Sequence, residues 1–378
     1  MRKPVLAILF LACAASVPAH ADGYSDFNRG VVDSLRGEHQ AAIDLFTSAL
    51  ASTDLPAHLR PTAYLARGEE YQELEKYESA VADFTVAIGL APGDAQAYLE
   101  RCEARADGRQ FADALADCSH AVDMQPQNGL LRQFRAGVYV RMKDFDRALA
   151  EYSSLLTTRP DDGELLLGRA EVYRLSGQYD RAIQDAQAAR EALPSRSPLA
   201  YSMLANIYFL QGDLKNALDS QESAVNRAYR DSQVYYVQGE IQWAAGRFGD
   251  AEDSFAKSLE LEPLQPYAFL WLSISAKRQG HKVPDDVTAA FSTASVSRSA
   301  APLVQLYLGR SGPEQALQVL AKDQGEDGQC AANLFVGEWY LIQGDAAHGK
   351  GLLQQALTVC APDREAHRLI AIDLARLP

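Results

Sequence analysis

Apolar and small residues in the stretch 61–94 fall on two stripes. Tyr64, Gly68 and Tyr71 step by four and then three. Ala80, Phe84 and Ala87 repeat the step, and Pro92 follows. Steps of four and three keep side chains on one face of an α-helix. The spacing therefore predicts two short amphipathic helices that face each other across a tight turn. Gly68, Ala80 and Ala87 are small where the backbones must come close. Tyr64, Tyr71 and Phe84 are large where gaps must be filled. Pro92 cannot continue the second helix, because it lacks an N–H and its ring clashes with the preceding turn.

The same hairpin recurs with a period of 34 residues. A first copy covers about residues 23–55, with Gly30, Ala42, Phe46 and Ala49. Four extra residues precede 61–94. Further copies follow at 95–128 (Tyr98, Ala114, Ala121, Pro126), 129–162 (Ala136, Tyr139, Ala148, Tyr152, Pro160) and 163–196 (Ala170, Tyr173, Gly177, Ala182, Ala189, Pro194). Two more lie at about 198–231 (Tyr201, Ala205, Tyr208, Gly212, Ala217, Ala224) and 232–265 (Tyr235, Gly239, Gly246, Ala251, Phe255, Pro263). No hairpin can bury its outer apolar stripe alone, so each must stack on the next. The expected fold is all-α, a right-handed solenoid of about seven hairpins over 22–265. Residues 266–378 continue it as diverged hairpins: two helices in 266–297, a short pair in 300–322, a clear hairpin at 330–362 and a capping helix from about Asp363 to Leu377.

The offsets resemble those of the tetratricopeptide repeat (TPR): an aromatic, a Gly or Ala, a Tyr, an Ala, an aromatic, an Ala and a Pro. The tail carries a second resemblance. Its motifs are Pro266-Tyr267-Ala268-Phe269-Leu270-Trp271-Leu272, Leu306-Tyr307-Leu308-Gly309, Gly337-Glu338-Trp339-Tyr340-Leu341 and the flanking Cys330 and Cys360. They resemble the C-terminal half of NlpI-type bacterial envelope TPR lipoproteins and their soluble relatives. That resemblance implies a scaffold of the Gram-negative envelope that brings peptidoglycan-processing enzymes or proteases to their targets.

Composition changes the picture in two ways. A formal charge of −14 argues against nucleic acid as a partner, since such binding needs clustered Lys and Arg. The first 21 residues read as a secretory leader: Arg2 and Lys3, an apolar run from Val5 to Ala15, and Ala19-His20-Ala21 as the cleavage site. The run is too short to span a membrane, and no later stretch is long enough. The expected location is the periplasm. Outer-membrane anchoring through Cys13 is the alternative, although Phe10-Leu11-Ala12 departs from a lipobox.

Four cysteines remain in the exported chain, an even number. In an antiparallel hairpin, residues equidistant from the turn lie opposite each other. Cys102 and Cys118 are equidistant from one turn, as are Cys330 and Cys360 from another. Two readings stand, structural disulfides or buried thiols acting as small hydrophobes. Neither pair is a CxxC, so redox catalysis is not expected.

The inner surface of such a stack is lined by the first helix of each hairpin. Its early part is acidic, through Glu69, Glu73, Glu103 and Asp107. Its later part is apolar and aromatic, with Asn206, Phe209, Tyr236, Glu240 and Trp243. Acidic residues there attract basic segments, and inward aromatics anchor a partner. The bland alternatives are a solvated acidic face and aromatics covered by the next helix. Lys and Arg are missing from the positions that would grip a C-terminal carboxylate. HExxH, GxSxG, GxGxxG and P-loop patterns are absent, and the histidines are scattered without metal spacing. The expectation is a non-enzymatic scaffold with protein or peptide partners, no cofactor and no metal. Its alternative is an accessory subunit of an envelope secretion or polysaccharide-export machine, with contacts on the outer face or tail.

Overall fold

The computed structural model describes residues 23–294, 296–297, 300–323, 325–362 and 364–377. The leader expected at 1–21, with Cys13, lies outside them, as does Asp363. The chain forms two compact units that meet in sequence at Thr157 and Thr158.

The first unit holds four hairpins. They are α1 (Gly23–Leu35) with α2 (His39–Ala51), α3 (Arg60–Glu73) with α4 (Tyr77–Leu90), α5 (Ala95–Asp107) with α6 (Phe111–Met124), and α7 (Gly129–Arg141) with α8 (Phe145–Thr158). The four extra residues after the first hairpin lead into a 3-10 turn at Ala57–Leu59. Asp94 and Asn128 start α5 and α7 by accepting the backbone N–H groups of Gln96 and Leu130, which satisfies donors that a helix start leaves orphaned. Each turn between paired helices passes through one residue of positive φ. In three hairpins of this unit it is a non-glycine, namely Glu75, Arg109 and Lys143.

Within a hairpin the two helices meet over a small residue and a large one. A Cβ on Gly68 would lie 2.4 Å from the Phe84 ring, and one on Gly30 would lie 2.8 Å from Phe46. The third hairpin has cysteines at the same two positions, and they form the Cys102–Cys118 disulfide with Cα atoms 5.5 Å apart. The cystine fills the place that a glycine and a phenylalanine fill in the neighbouring hairpin.

An ion-pair ladder accompanies this core. Arg67 donates to both oxygens of Asp83 at 2.7 and 2.8 Å. Arg101 does the same to Asp117 at 2.9 and 2.7 Å, and Arg135 donates to Glu151 at 2.8 Å. Each pair joins the two helices of one hairpin. Arg67 and Arg101 also reach back to Thr47 and Thr85 of the preceding hairpin, at 2.9 and 3.1 Å. The ladder therefore closes each hairpin through bidentate, charge-assisted bonds and links it to the preceding hairpin through a single arginine–threonine bond.

The second unit begins with three hairpins: α9 (Gly163–Leu175) with α10 (Tyr179–Ala192), α11 (Leu199–Gln211) with α12 (Leu214–Val225), and α13 (Ser232–Ala244) with α14 (Phe248–Leu261). One more rung of the ladder, Arg169–Asp185, occurs at α9. After it, the equivalent positions hold Leu204 with Ser220, and then Gln238 with Ser254. The sequence continues as α15 (Pro266–Arg278), α16 (Asp285–Thr293), α17 (Ala301–Tyr307), α18 (Pro313–Asp323), α19 (Gly325–Ile342), α20 (Ala346–Val359) and α21 (Glu365–Arg376). Here the core is aromatic. Trp243 lies 4.9 Å from Trp271, which stacks on Phe255 at 6.2 Å and meets Phe335 edge-on at 5.3 Å. Every residue from Ala268 to Ala276 of α15 is buried, so this helix is covered all round. A second disulfide, Cys330–Cys360, joins the start of α19 to the end of α20, with Cα atoms 4.9 Å apart.

The last helix departs from expectation. A cap would close the end of the array with a polar outer face. Instead α21 turns back and packs against α11, α13 and α19 as well as α20.

Candidate functional site

In the first unit, the first helices of successive hairpins touch through polar side chains. Ser34 of α1 donates to Glu70 of α3 at 2.6 Å, and His39 Nδ1 lies 2.7 Å from the same carboxylate. Gln72 of α3 reaches Asp107 of α5 at 3.5 Å, and Arg141 of α7 donates to Asp107 at 2.6 Å. Asp107 therefore belongs to a pair, and it adds less acidity to this face than the sequence pattern implies.

Glu69 lies at the centre of a group of carboxylates. It is half-buried on α3, and its neighbours are Glu70 and Glu73 on the same helix and Glu100 and Glu103 on α5. Burial first, and these carboxylates second, push its pKa up to about 8. The contribution of the neighbouring carboxylates reports a local excess of negative charge around a desolvated carboxyl. The structure brings Glu69, Glu73 and Glu103 together as expected. It adds Glu70 and Glu100, which inward-facing helix positions alone did not pick out.

In the second unit, Asn206, Tyr236 and Glu240 line a groove, but that groove is occupied. Asn206 donates to Glu365 of α21. Arg376, near the end of α21, donates to the backbone oxygens of Trp243, at 3.1 Å, and of Ala244. These are last-turn carbonyls of α13, which have no partner within their own helix. The Arg376 guanidinium also lies 5.6 Å from the Trp243 ring. Deeper down, Arg278 of α15 holds Glu338 of α19 at 2.8 Å and Asp373 of α21 at 2.7 Å, both carboxylates being 0% exposed. Leu369 and Ile370 are the two apolar side chains that α21 buries completely.

Two expected aromatic anchors are corrected by this arrangement. Phe209 is 2% exposed and Trp243 is 0% exposed. Trp243 is enclosed by Phe248, Trp271, Arg278 and Arg376. Phe209 belongs to the same apolar cluster. Both are core residues, because the next hairpin and the returning helix cover the face they project from.

Electrostatics in this groove follow from burial. Glu240 sits beneath Glu365 and faces the Tyr236 hydroxyl and the Trp271 indole. Burial, then the charge of Glu365, push its pKa up to about 8. Burial and Glu240 in turn hold the Tyr236 hydroxyl well above its ordinary value. Glu338 is also pushed up, because complete burial beside a second carboxylate outweighs the attraction of Arg278. Among the described residues, no group of His, Cys, Asp and Glu could hold a metal ion, and no helix is long and apolar enough to cross a membrane.

Stacked antiparallel helical hairpins of 34-residue period, with polar side chains on their first helices, define a helical-repeat scaffold. A tetratricopeptide-repeat model matches residues 65–129, 135–197 and 176–233, and a second model of the same repeat matches 232–263. The chain belongs to the tetratricopeptide-repeat family, a scaffold family that mediates interactions with proteins or peptides. Among solved structures it is similar to a tetratricopeptide repeat protein from Parabacteroides merdae, with 16% identity and a TM-score of 0.53 over 67% of this chain and 98% of that one. It is also similar to the C-terminal part of a TPR repeat-containing protein from Cytophaga hutchinsonii (18% identity, TM-score 0.40, covering 71% of this chain and 97% of that one). Yeast Tom70 is similar at 15% identity and a TM-score of 0.39, over 94% of this chain and 95% of that one. At these identities the likeness to the Parabacteroides structure bears on the fold alone. No curated protein matches the chain.

Proposed function

We propose that the protein is a periplasmic scaffold that binds Lys- and Arg-rich segments of partner proteins on the first-helix face of its first unit. The observation that carries this reading is the carboxylate cluster of half-buried Glu69, Glu100 and Glu103 with exposed Glu73 beside them, in which Glu69 is held mostly neutral at pH 7. A cationic side chain entering the cluster would draw Glu69 back to its charged form and gain a desolvated ion pair. The helices are pre-formed, so little ordering is lost on binding. Export is supported by the leader pattern of residues 1–21 and by two disulfides, which belong to oxidising compartments. The motifs in the tail support an envelope role, with peptidoglycan-processing enzymes or proteases as clients. Residues 266–378 are taken as the diverged end of the array.

Anisotropy of a labelled lysine-rich peptide tests the reading. Affinity should fall steeply from 50 to 500 mM salt, and Glu69→Gln with Glu103→Gln should weaken binding at least tenfold. Salt-independent binding, or full affinity in the double variant, would contradict it.

One observation favours the second reading, an accessory subunit of a secretion or polysaccharide-export machine. The groove of the second unit is filled by α21, so a partner meeting that unit in this state meets its outer face. Charge substitutions on exposed residues of α10, α12 and α14 would then abolish capture of the partner, while the Glu69 and Glu103 substitutions would not.

A further inference from the structure

We propose that the groove lined by α11, α13, α15 and α19 is a receptor for an amphipathic helix, and that α21 is its resident ligand in cis. A partner helix displaces it by presenting the same pattern: a carboxylate, two aliphatic residues four and five positions on, a second carboxylate at eight and an arginine at eleven. In α21 these are Glu365, Leu369, Ile370, Asp373 and Arg376. The inference concerns a different surface from the acidic face of the first unit and does not depend on it.

Four observations carry it. The first is the recognition chemistry itself. Each polar member of the stripe meets a fixed group of the groove: Glu365 meets Asn206, Asp373 meets Arg278, and Arg376 meets the last-turn carbonyls of α13. This is how a groove reads a helix, by anchors at i, i+4 and i+8 spacing. The neighbouring α13–α14 pair, by contrast, carries no ion pair between its helices among the described residues and meets over Gly239 against Phe255, with neutral bonds from Ser254.

The second is that the seat is incompletely satisfied. Asn206 Oδ1, Trp243 Nε1 and Arg368 Nε are buried without a hydrogen-bond partner in the protein. Three such atoms gathered where α21 meets the groove weaken its hold, because each is a group desolvated for no bond. Release of α21 would return them to water.

The third is that the ring contacts at the centre of the unit are made without a side chain of α21, although Leu369 and Ile370 pack on the same cluster. Trp243, Trp271, Phe255 and Phe335 pack on one another. The fourth is the Cys330–Cys360 disulfide, which clamps the α19–α20 hairpin at the point where the chain departs for α21. The hairpin stays closed whether or not the helix is seated. The few residues between Cys360 and Glu365 then act as a short tether. Such a tether sets an effective concentration of about millimolar, which a competing helix has to overcome.

The test uses the full chain. A labelled peptide of residues 364–377 is titrated into the wild-type protein and into a Leu369→Ala, Arg376→Ala variant. Those substitutions weaken only the attached helix and leave the groove untouched. The expected result is peptide binding at least tenfold tighter to the variant than to the wild type, with the variant's helicity reduced by no more than the length of α21. Adding Asn206→Ala to the variant should reverse part of the gain. Equal binding to both proteins, or no binding to either, overturns the proposal. So does a loss of helicity well beyond one helix, which would make α21 an integral part of the core. Hydrogen exchange gives a second readout: α21 amides in the wild type should exchange faster than those of α13 and α15, and equal protection counts against a displaceable helix.

Discussion

The two units solve the same stacking problem with different chemistry. In the first, arginine–carboxylate bridges recur hairpin by hairpin, a cystine replaces one aromatic contact, and three turns force a non-glycine residue into positive φ. In the second, the ladder stops after Arg169–Asp185, the described turns of positive φ are glycines, and the core is a run of tryptophan and phenylalanine. The difference extends to function. The first unit keeps an acidic face on its first helices, whereas the second covers the equivalent groove with its own last helix. A polar lattice can hold hairpins together while leaving their first helices charged. An aromatic core draws in whatever helix is within reach.

Substitution at equivalent positions breaks this comparison most sharply. Asp117→Ala would leave Arg101 and Arg105 without their shared carboxylate in a half-buried site. The expected loss is about 3–5 kcal/mol by urea unfolding. Ser254→Ala, at the matching place in the second unit, removes only neutral hydrogen bonds to Gln238 and Gln242 and should cost about 1 kcal/mol. Equal losses would show that the ladder is not what separates the units.

The remaining predictions descend in size. Replacing Cys102 and Cys118 together by alanine should cost about 2–4 kcal/mol in the same assay. Gly239→Ala places a Cβ 2.6 Å from the Phe255 ring, and overpacking there should cost about 1–3 kcal/mol. Lys143→Gly relieves a positive φ of 58°. It should stabilise the first unit by about 0.5 kcal/mol, the lost left-handed strain exceeding the added freedom of the unfolded chain. The same change has no counterpart in the second unit, where Gly177 and Gly246 already occupy the turns.

The hairpins and the pairing of cysteines were legible because both depend on local periodicity. Tyr64, Gly68 and Ala80 report a helix face whatever lies around them, and equidistance from a turn places Cys102 against Cys118. The ladder was equally visible in principle. Arg67, Arg101, Arg135 and Arg169 recur every 34 residues, as do Asp83, Asp117, Glu151 and Asp185, but small and aromatic positions dominate a reading for packing. The seat of α21 was not legible. Its stripe is that of an ordinary amphipathic helix, and nothing local says which groove it returns to. Phe209 and Trp243 were misplaced for the same reason, since their cover comes from residues distant in sequence.

Acid–base behaviour separates the units more gently. Glu69 and Glu240 each have a folded pKa raised to about 8 from an unfolded value near 4.5. The stability each contributes is complete below the unfolded value and is lost as pH rises through about 8. Hydrogen exchange should therefore speed up in α3 and in α21 between pH 6 and 9, after correction for intrinsic rates. Glu69→Gln should flatten the first dependence and leave the second. Affinity for a cationic peptide should move the other way and rise over that range, because the ionised Glu69 is the form that pairs.

Carboxyl footprinting of the intact protein tests the contrast between an open acidic face and a filled groove most directly. Carbodiimide-mediated labelling at pH 7, read residue by residue by mass spectrometry, should modify the exposed Glu73 readily and leave the fully buried Glu338 and Asp373 protected. Asp373 labelled as fast as Glu73 would place α21 outside the groove and contradict the account.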